Sequence, residues 1–335
     1  MLILIDGFGG SGKTILRSLL DGHNELFVSP SQECLISSFY RNLEKSQFFV
    51  YKDISLLREY LVDSYYYNLE KESLIGFAES DLKRKKIKFN FYEFESFWVN
   101  ALRNKKKWDN KIILEIIYSS VIKFFYNTKN LPINKKKVFL ENGNFDCHKF
   151  FLETFPKSKL IITKKKMPDI IASLARRKVH NKDYDTHGYK DYNFNFLVRH
   201  QHFPIRINNT YMLVERLKKK FPNRVYLCDF EKLITNTKNE MMKISKFLDI
   251  EFTKILEQPT HFSNLISFKD GGQILLKTKH TAINTFSKYE NKLLLCFEKK
   301  NNSNIIIPPL VFIDYIYCLL IHFFKKIYHK VLKII

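Results

Sequence analysis

The first twenty residues leave this chain few ways to fold. Leu2-Ile3-Leu4-Ile5-Asp6 is a short apolar run that reads as a buried strand. A glycine-rich turn follows, Gly7-Phe8-Gly9-Gly10-Ser11-Gly12-Lys13-Thr14, and then Ile15-Leu16-Arg17-Ser18-Leu19-Leu20 carries apolar residues at helical spacing. Glycines allow the backbone to close around an anion with its amides pointing inward. A helix beginning near Gly12 adds the positive end of its dipole. The segment satisfies G-x-x-x-x-G-K-[ST] between a strand and a helix, the context that gives the pattern its meaning. Gly9, Gly10, Ser11, Gly12, Lys13 and Thr14 are therefore the expected phosphate cradle. Lys13 supplies a cation for a bridging or terminal oxygen, and Thr14 supplies a hydroxyl.

The rest of the chain continues this alternation. Strands are predicted near 2–6, 26–28, 137–141, 159–163 and 224–228, with helices at 13–20, 148–155, 168–177, 207–220 and 238–248. Strands alternating with helices predict an α/β fold, a parallel sheet covered on both faces. Residues 35–130 read as mostly helical and rich in aromatics, Trp98 among them. They are either an insert shaping an acceptor pocket or plain core packing. Residues 178–204 carry His180, His187, His200, His202, Gly188 and Pro204 and read as irregular. Their histidine spacing fits no standard metal site, and no metal is expected.

Three segments, in order, resemble the sulfotransferases that use 3′-phosphoadenosine 5′-phosphosulfate (PAPS). Leu19-Leu20-Asp21-Gly22-His23 is similar to the run that ends the helix after that family's 5′-phosphosulfate loop. Phe155-Pro156-Lys157-Ser158-Lys159, the strand after it, and Lys165 and Ser173 resemble the segment that holds the 3′-phosphate. The segment from Arg216 to Leu233, ending in Asp229-Phe230-Glu231-Lys232-Leu233, looks like a late strand of the family, and Lys243 to Ile250 like the helix that follows. Pro259 to Asn264 resembles, faintly, the loop that closes over the nucleotide.

The resemblance implies a three-layer fold of the P-loop type and a PAPS-dependent sulfotransferase. It implies that residues 9–14 hold the 5′-phosphosulfate, that Lys13 neutralises the leaving oxygen, and that Lys165 and Ser173 hold the 3′-phosphate. Family members often carry an acid or histidine after the second strand. Glu33 is the only acid in Ser29-Pro30-Ser31-Gln32-Glu33 and is the candidate base, with a surface carboxylate as the other reading. His23 reads as a structural helix-end residue. The chain departs from the pattern at Gly10, where the family's loop has a basic residue, at Lys13, where a threonine is usual, and at Lys165, where arginine is usual. A lysine offers a point charge where arginine offers a two-pronged fork.

Two other classes share part of this evidence. A P-loop kinase would use the complete Gly12-Lys13-Thr14 and could draw a magnesium-binding acid from Asp229 or Glu141. A non-catalytic nucleotide-binding protein at a membrane surface would account for the departures at Gly10 and Lys165. The acceptor, a carbohydrate or other small molecule carrying a hydroxyl or amine, is not named by any motif.

Charge narrows the partners. With 56 Lys and Arg against 34 Asp and Glu, the chain carries a formal charge of +22. Lysine runs at 83–88, 105–107 and 135–137 read as solvated surface or as attraction for an anionic donor, glycan or membrane. No zinc-ligand spacing or RNA-binding aromatic signature is present, so nucleic acid is not an expected partner. Five widely spaced cysteines, Cys34, Cys147, Cys228, Cys296 and Cys318, read as buried free thiols in a reducing compartment, which with the strand starting at residue 2 predicts a cytoplasmic protein. Organisation is expected as one domain over 1–300 and a terminal helix over 305–335. That tail, apolar from Leu310 to Phe324 and then Lys325, Lys326, Lys330 and Lys333, either packs on the domain or lies on an anionic membrane surface.

Overall fold

The structure, a computed structural model, describes residues 1–32, 35–46, 54–61, 91–126, 135–140, 147–180, 194, 197–198, 202–261, 264–265, 286–298 and 309–331. The chain divides into two compact units. One comprises Met1–Gly7, Gly12–Thr163 and Leu217–Ser267, and the other Phe8–Ser11, Lys164–Arg216 and Phe268–Ile335.

The first unit is built on a five-stranded parallel sheet of β1 (Leu2–Asp6), β2 (Leu26–Gln32), β3 (Lys136–Leu140), β4 (Lys159–Lys164) and β5 (Val225–Asp229). Its order is β2-β3-β1-β4-β5. β1 lies at the centre, pairing Leu4 with Phe139 on one side and with Leu160 on the other. A strand flanked on both sides and covered on both faces must be apolar almost throughout, which is why Ile3, Leu4 and Ile5 are fully buried.

Alternation along β3 shows the two faces. Val138 and Leu140 join Ile3, Ile5, Leu16 and Leu19 in a core that brings in α1 (Lys13–Leu20), α9 (Phe230–Thr235) and α10 (Thr237–Leu248). Phe139, on the opposite face, meets the Tyr118 ring of α5 (Asn110–Tyr126) at 4.3 Å. α5 packs with α4 (Phe91–Arg103), where Trp98 is completely buried. Helices α2 (Leu35–Ser46) and α3 (Ile54–Leu61) pack together, and Phe39 of α2 stacks with Phe150 of α6 (Cys147–Thr154) at 6.2 Å. The described part of the 35–130 region thus holds four helices, α2 to α5, whose Phe39, Phe94, Trp98 and Tyr118 are buried core.

The sulfotransferase-like runs organise the ends of these elements. Asp21 stops α1, its N–H returning to the Arg17 carbonyl, and Thr260 Oγ1 lies 2.6 Å from the Asp21 carbonyl and 2.9 Å from its Oδ2. This ties the helix end to the short hairpin of β6 (Thr260–His261) and β7 (Asn264–Leu265). After α6, the Phe155-to-Ser158 turn is gripped by Arg224, whose guanidinium donates to the carbonyls of Leu152, Phe155 and Ser158.

The larger boundary differences from expectation lie in β2 and on either side of the segment at 178–204. β2 continues through Pro30 to Gln32, where the sequence predicts a stop after Val28. It is an outer strand, and its ladder to β3 shifts between Val28 and Gln32, which accommodates a residue that cannot donate. In the second unit, α7 (Met167–His180) and α8 (Phe203–Lys220, whose last residues belong to the first unit) shorten the irregular segment predicted over 178–204 from both ends. Pro204 is the second residue of α8, a position where its missing N–H costs nothing. The second unit also holds α11 (Lys288–Glu298), which packs against α7 and against α12 (Pro309–Val331).

Gly12 is required by two independent constraints. It adopts φ +92°, and a Cβ placed there would fall inside the buried ring of Phe230. Gly12→Ala should therefore lose about 2–4 kcal/mol of stability, from the left-handed backbone and from overpacking. Urea unfolding measures this, and an unchanged midpoint would show that Phe230 yields without cost.

Candidate active site

Ligands of open parallel sheets bind beyond the carboxyl ends of the strands, where consecutive connections leave to opposite sides. In this order that point lies at β1 and β4, because the chain leaves β1 toward β2 on one side and leaves β3 for β4 on the other. β1 ends on Asp6, a carboxylate with no exposed surface. A buried carboxylate is tolerated only when its oxygens are occupied. Asp6 Oδ1 accepts from the Gly7 N–H at 2.6 Å and sits 3.6 Å from Lys13 Nζ. Oδ2 lies 2.9 Å from Nε2 of His148, which is buried on α6. Since a carboxylate only accepts, Nε2 carries the donated proton. The backbone at the strand end is tied in as well, with Thr163 Oγ1 lying 3.4 Å from the Asp6 carbonyl.

Lys13 begins α1 and is itself buried, its side chain 6 % exposed. The expected phosphate-binding cation is therefore held against an aspartate rather than waving in solvent. Gly12 caps the helix, its carbonyl accepting from the N–H groups of Ile15 and Leu16. Thr14 follows on the first turn, half-buried, and its carbonyl accepts from Ser18 Oγ.

In the second unit, Phe8–Ser11 forms a turn closed by the Ser11 N–H on the Phe8 carbonyl at 2.9 Å. Gly10 adopts φ +85°, and a Cβ there would lie 2.7 Å from Ser173 Oγ and 2.9 Å from its Cβ. Two residues assigned to the donor nucleotide from distant parts of the sequence thus meet directly. The contact also explains the departure at Gly10: Ser173 occupies the space that a basic side chain would need.

Lys165 lies just after β4, half-buried. Its backbone N–H donates to Tyr211 Oη, and the Tyr211 hydroxyl donates to its carbonyl, each at 3.2 Å. The same ring lies edge-on to Phe8, with centroids 6.4 Å apart, and carries the Lys164 ammonium over its face at 5.5 Å. One tyrosine of α8 therefore braces both the loop entrance and the Lys165 turn.

Glu33 and Glu141 lie outside the described residues. His23 is structural, as expected. Its Nδ1 accepts from the Glu25 N–H at 3.2 Å, which leaves Nε2 to donate to the Glu251 carbonyl at 2.9 Å. Asp229, the acid a kinase would use, instead caps α9 by accepting from the Lys232 N–H. Asp6, His148 and Tyr211 are the residues that sequence reasoning did not single out. For Asp6 a signal existed, namely one charge ending an otherwise apolar central strand.

Residues 3–254 match the sulfotransferase family, and the chain belongs to it. It is an enzyme of the transferase class. Similar solved structures include the sulfotransferase domain of the Synechococcus PCC 7002 olefin synthase, 13% identical over 94% of this chain and 92% of that one, with a TM-score of 0.45. The sulfotransferase domain of the curacin biosynthetic pathway is 15% identical over 92% of this chain and 94% of that one, at 0.44. A mouse sulfotransferase complexed with PAP is 16% identical over 55% of this chain and 72% of that one, at 0.36. No curated protein sequence matches.

The Asp6–Lys13 pair makes a prediction about the site's own energetics. Asp6→Asn removes the carboxylate beside a buried ammonium, and Lys13→Met removes the ammonium beside a buried carboxylate. Each should cost about 3–5 kcal/mol, whereas removing both charges together should cost less than either. Denaturant unfolding of the two single variants and the double variant checks this, and additive losses would show that the pair is not coupled.

Proposed function

We propose that the protein moves a sulfuryl group from PAPS to a hydroxyl or amine of a carbohydrate or other small acceptor. The observation that carries this reading is the contact of Ser173 with Gly10, which joins the serine expected at the 3′-phosphate to the loop expected at the 5′-phosphosulfate. The mouse relative complexed with PAP, the bisphosphate product of such a donor, supports the same choice of nucleotide.

The chemistry follows from the groups present. The acceptor oxygen or nitrogen forms a bond to sulfur as the bond from sulfur to the bridging phosphate oxygen breaks. The acceptor's proton passes to a base, for which Glu33 is the candidate. The 3′,5′-bisphosphate leaves with the negative charge. The forming and breaking bonds lie in line while charge spreads over the equatorial sulfuryl oxygens, so positioning and electrostatics do most of the work. Backbone amides of residues 9–14 hold the phosphosulfate. The Lys13 ammonium stabilises the leaving oxygen, and Asp6 keeps it oriented at low entropic cost. Lys165 and Ser173 hold the 3′-phosphate. Acceptor specificity is assigned to the 35–130 region, of which α2 to α5 are described.

Titration with 3′,5′-bisphosphoadenosine, AMP and ATP separates the readings. A sulfotransferase should bind the bisphosphate best without magnesium. Lys165→Ala should weaken it by about 1.5–3 kcal/mol while barely affecting AMP. Lys13→Ala, assayed under conditions where circular dichroism shows an intact fold, should lower PAPS turnover ~10²-fold or more. Equal weakening of both nucleotides by Lys165→Ala, or magnesium-dependent preference for ATP, would overturn the PAPS assignment.

A further inference from the structure

We propose that α12 docks the protein on an anionic lipid surface, lying in the plane of the interface. This goes beyond the proposed transfer reaction and does not depend on it. The helix has two apolar sides. One packs inside its own unit: Val311 and Cys318 are buried, and the Tyr315 ring meets Phe297 of α11 at 4.9 Å. The other side is open. Ile313, Ile316, Tyr317, Leu320, Phe323 and Phe324 are each 38 to 63 % exposed. Their spacing of three, four, seven, ten and eleven residues from Ile313 gathers them into an arc of about 120° at 100° per residue. Burial against α11 accounts for the first side and leaves the second without a structural role in the described unit. Most other large apolar side chains among the described residues are buried, so this is a concentrated exception rather than the scattered exposure common on soluble surfaces.

Length and charge decide what covers it. At 1.5 Å per residue the helix is about 35 Å long, yet among the described residues no helix is long and apolar enough to cross a membrane. Asp314 is the only acid in α12, lying off the stripe with Oδ2 3.3 Å from the Tyr289 hydroxyl of α11. From Tyr315 to Ile335 there is no acid at all, while Lys325, Lys326, Lys330 and Lys333 follow the stripe. An apolar face with aromatic residues and a lysine-rich end matches a bilayer surface, where the rings enter the acyl boundary and lysines meet anionic headgroups. A second copy of the chain is a poorer occupant, because it would bring the same lysines and another +22 of charge against the first.

The test uses the full chain and phosphatidylcholine vesicles with and without phosphatidylserine, at low and high salt. The wild type should co-sediment with the serine-containing vesicles at low salt and release at high salt. Leu320→Glu combined with Phe323→Glu should weaken that binding at least roughly tenfold. The melting temperature and 3′,5′-bisphosphoadenosine affinity of this variant should stay unchanged, since both side chains are exposed. Lys325→Glu combined with Lys326→Glu should lose the preference for anionic vesicles. Wild-type protein that ignores both vesicle types would overturn the proposal, as would a stripe variant that binds as well as wild type. Dimerisation that the stripe variant abolishes, with no vesicle binding, would assign the face to a second copy instead.

Discussion

A single buried carboxylate organises the end of the central strand and the start of the helix after the loop. Asp6 ends the central strand, where water cannot reach it, and must be satisfied by its own fold. It collects the Gly7 amide, the Lys13 ammonium and the His148 ring. Each partner comes from a different structural source: the chain neighbour, the first residue of α1, and a helix beyond β3. Placing Asp6 thus requires the strand, the helix and α6 to be in register together. In return, a cation that would otherwise lose many rotamers on meeting an anion is already held. The arrangement trades desolvation of two charges for preorganisation, a cost that a residue serving packing alone would not justify.

Glycine placement shows the same economy in the loop. Gly10 and Gly12 both occupy the left-handed region, and each has a neighbour where a side chain would begin. Within the second unit that neighbour is Ser173; within the first it is Phe230. The loop's shape is therefore set from outside as well as by its own conformational freedom. This accounts for the absence of a basic residue at position 10 better than loss of function does. With Ser173 seated there, a donor site of the proposed kind would need its positive charge from other positions, and Lys13 and Lys165 are the residues proposed to supply it.

Local backbone requirements were the most legible part of the sequence. β1 and α1 agree with the predicted strand at 2–6 and helix at 13–20, because apolar continuity, glycine clustering and helical spacing are all short-range signals. The parallel sheet followed from alternation of strands and helices. Two prolines lie in regular structure beyond the predicted bounds, since the predicted strand ended at Val28 before Pro30 and Pro204 fell in the segment read as irregular. An outer strand can absorb one with a register shift, and a helix can take one in its first turn. In the site, Lys13 was legible from its motif, but its partner was not. Asp6 and His148 are 142 residues apart in sequence, and nothing local to either announces the other. Tyr211 was invisible for the same reason: its role rests on bracketing the Lys165 backbone and meeting Phe8, contacts that only tertiary structure creates.

The terminal helix shows why two readings of an apolar segment need not compete. Composition alone offered a helix packed on the domain or a helix at a surface. The 3.6-residue repeat allows both, because a helix can present different residues to each side. Val311, Tyr315 and Cys318 repeat at four and three residues and meet α11 or lie buried beside it, while the stripe beginning at Ile313 follows the same spacing on the opposite side. Anchoring by the first set fixes the orientation of the second. A free amphipathic tail would lose conformational freedom on reaching a surface, whereas a helix already fixed in its unit meets that surface without the loss. On the proposed docking, packing on one side would make the exposed side effective, and a single helix carries both sets of residues.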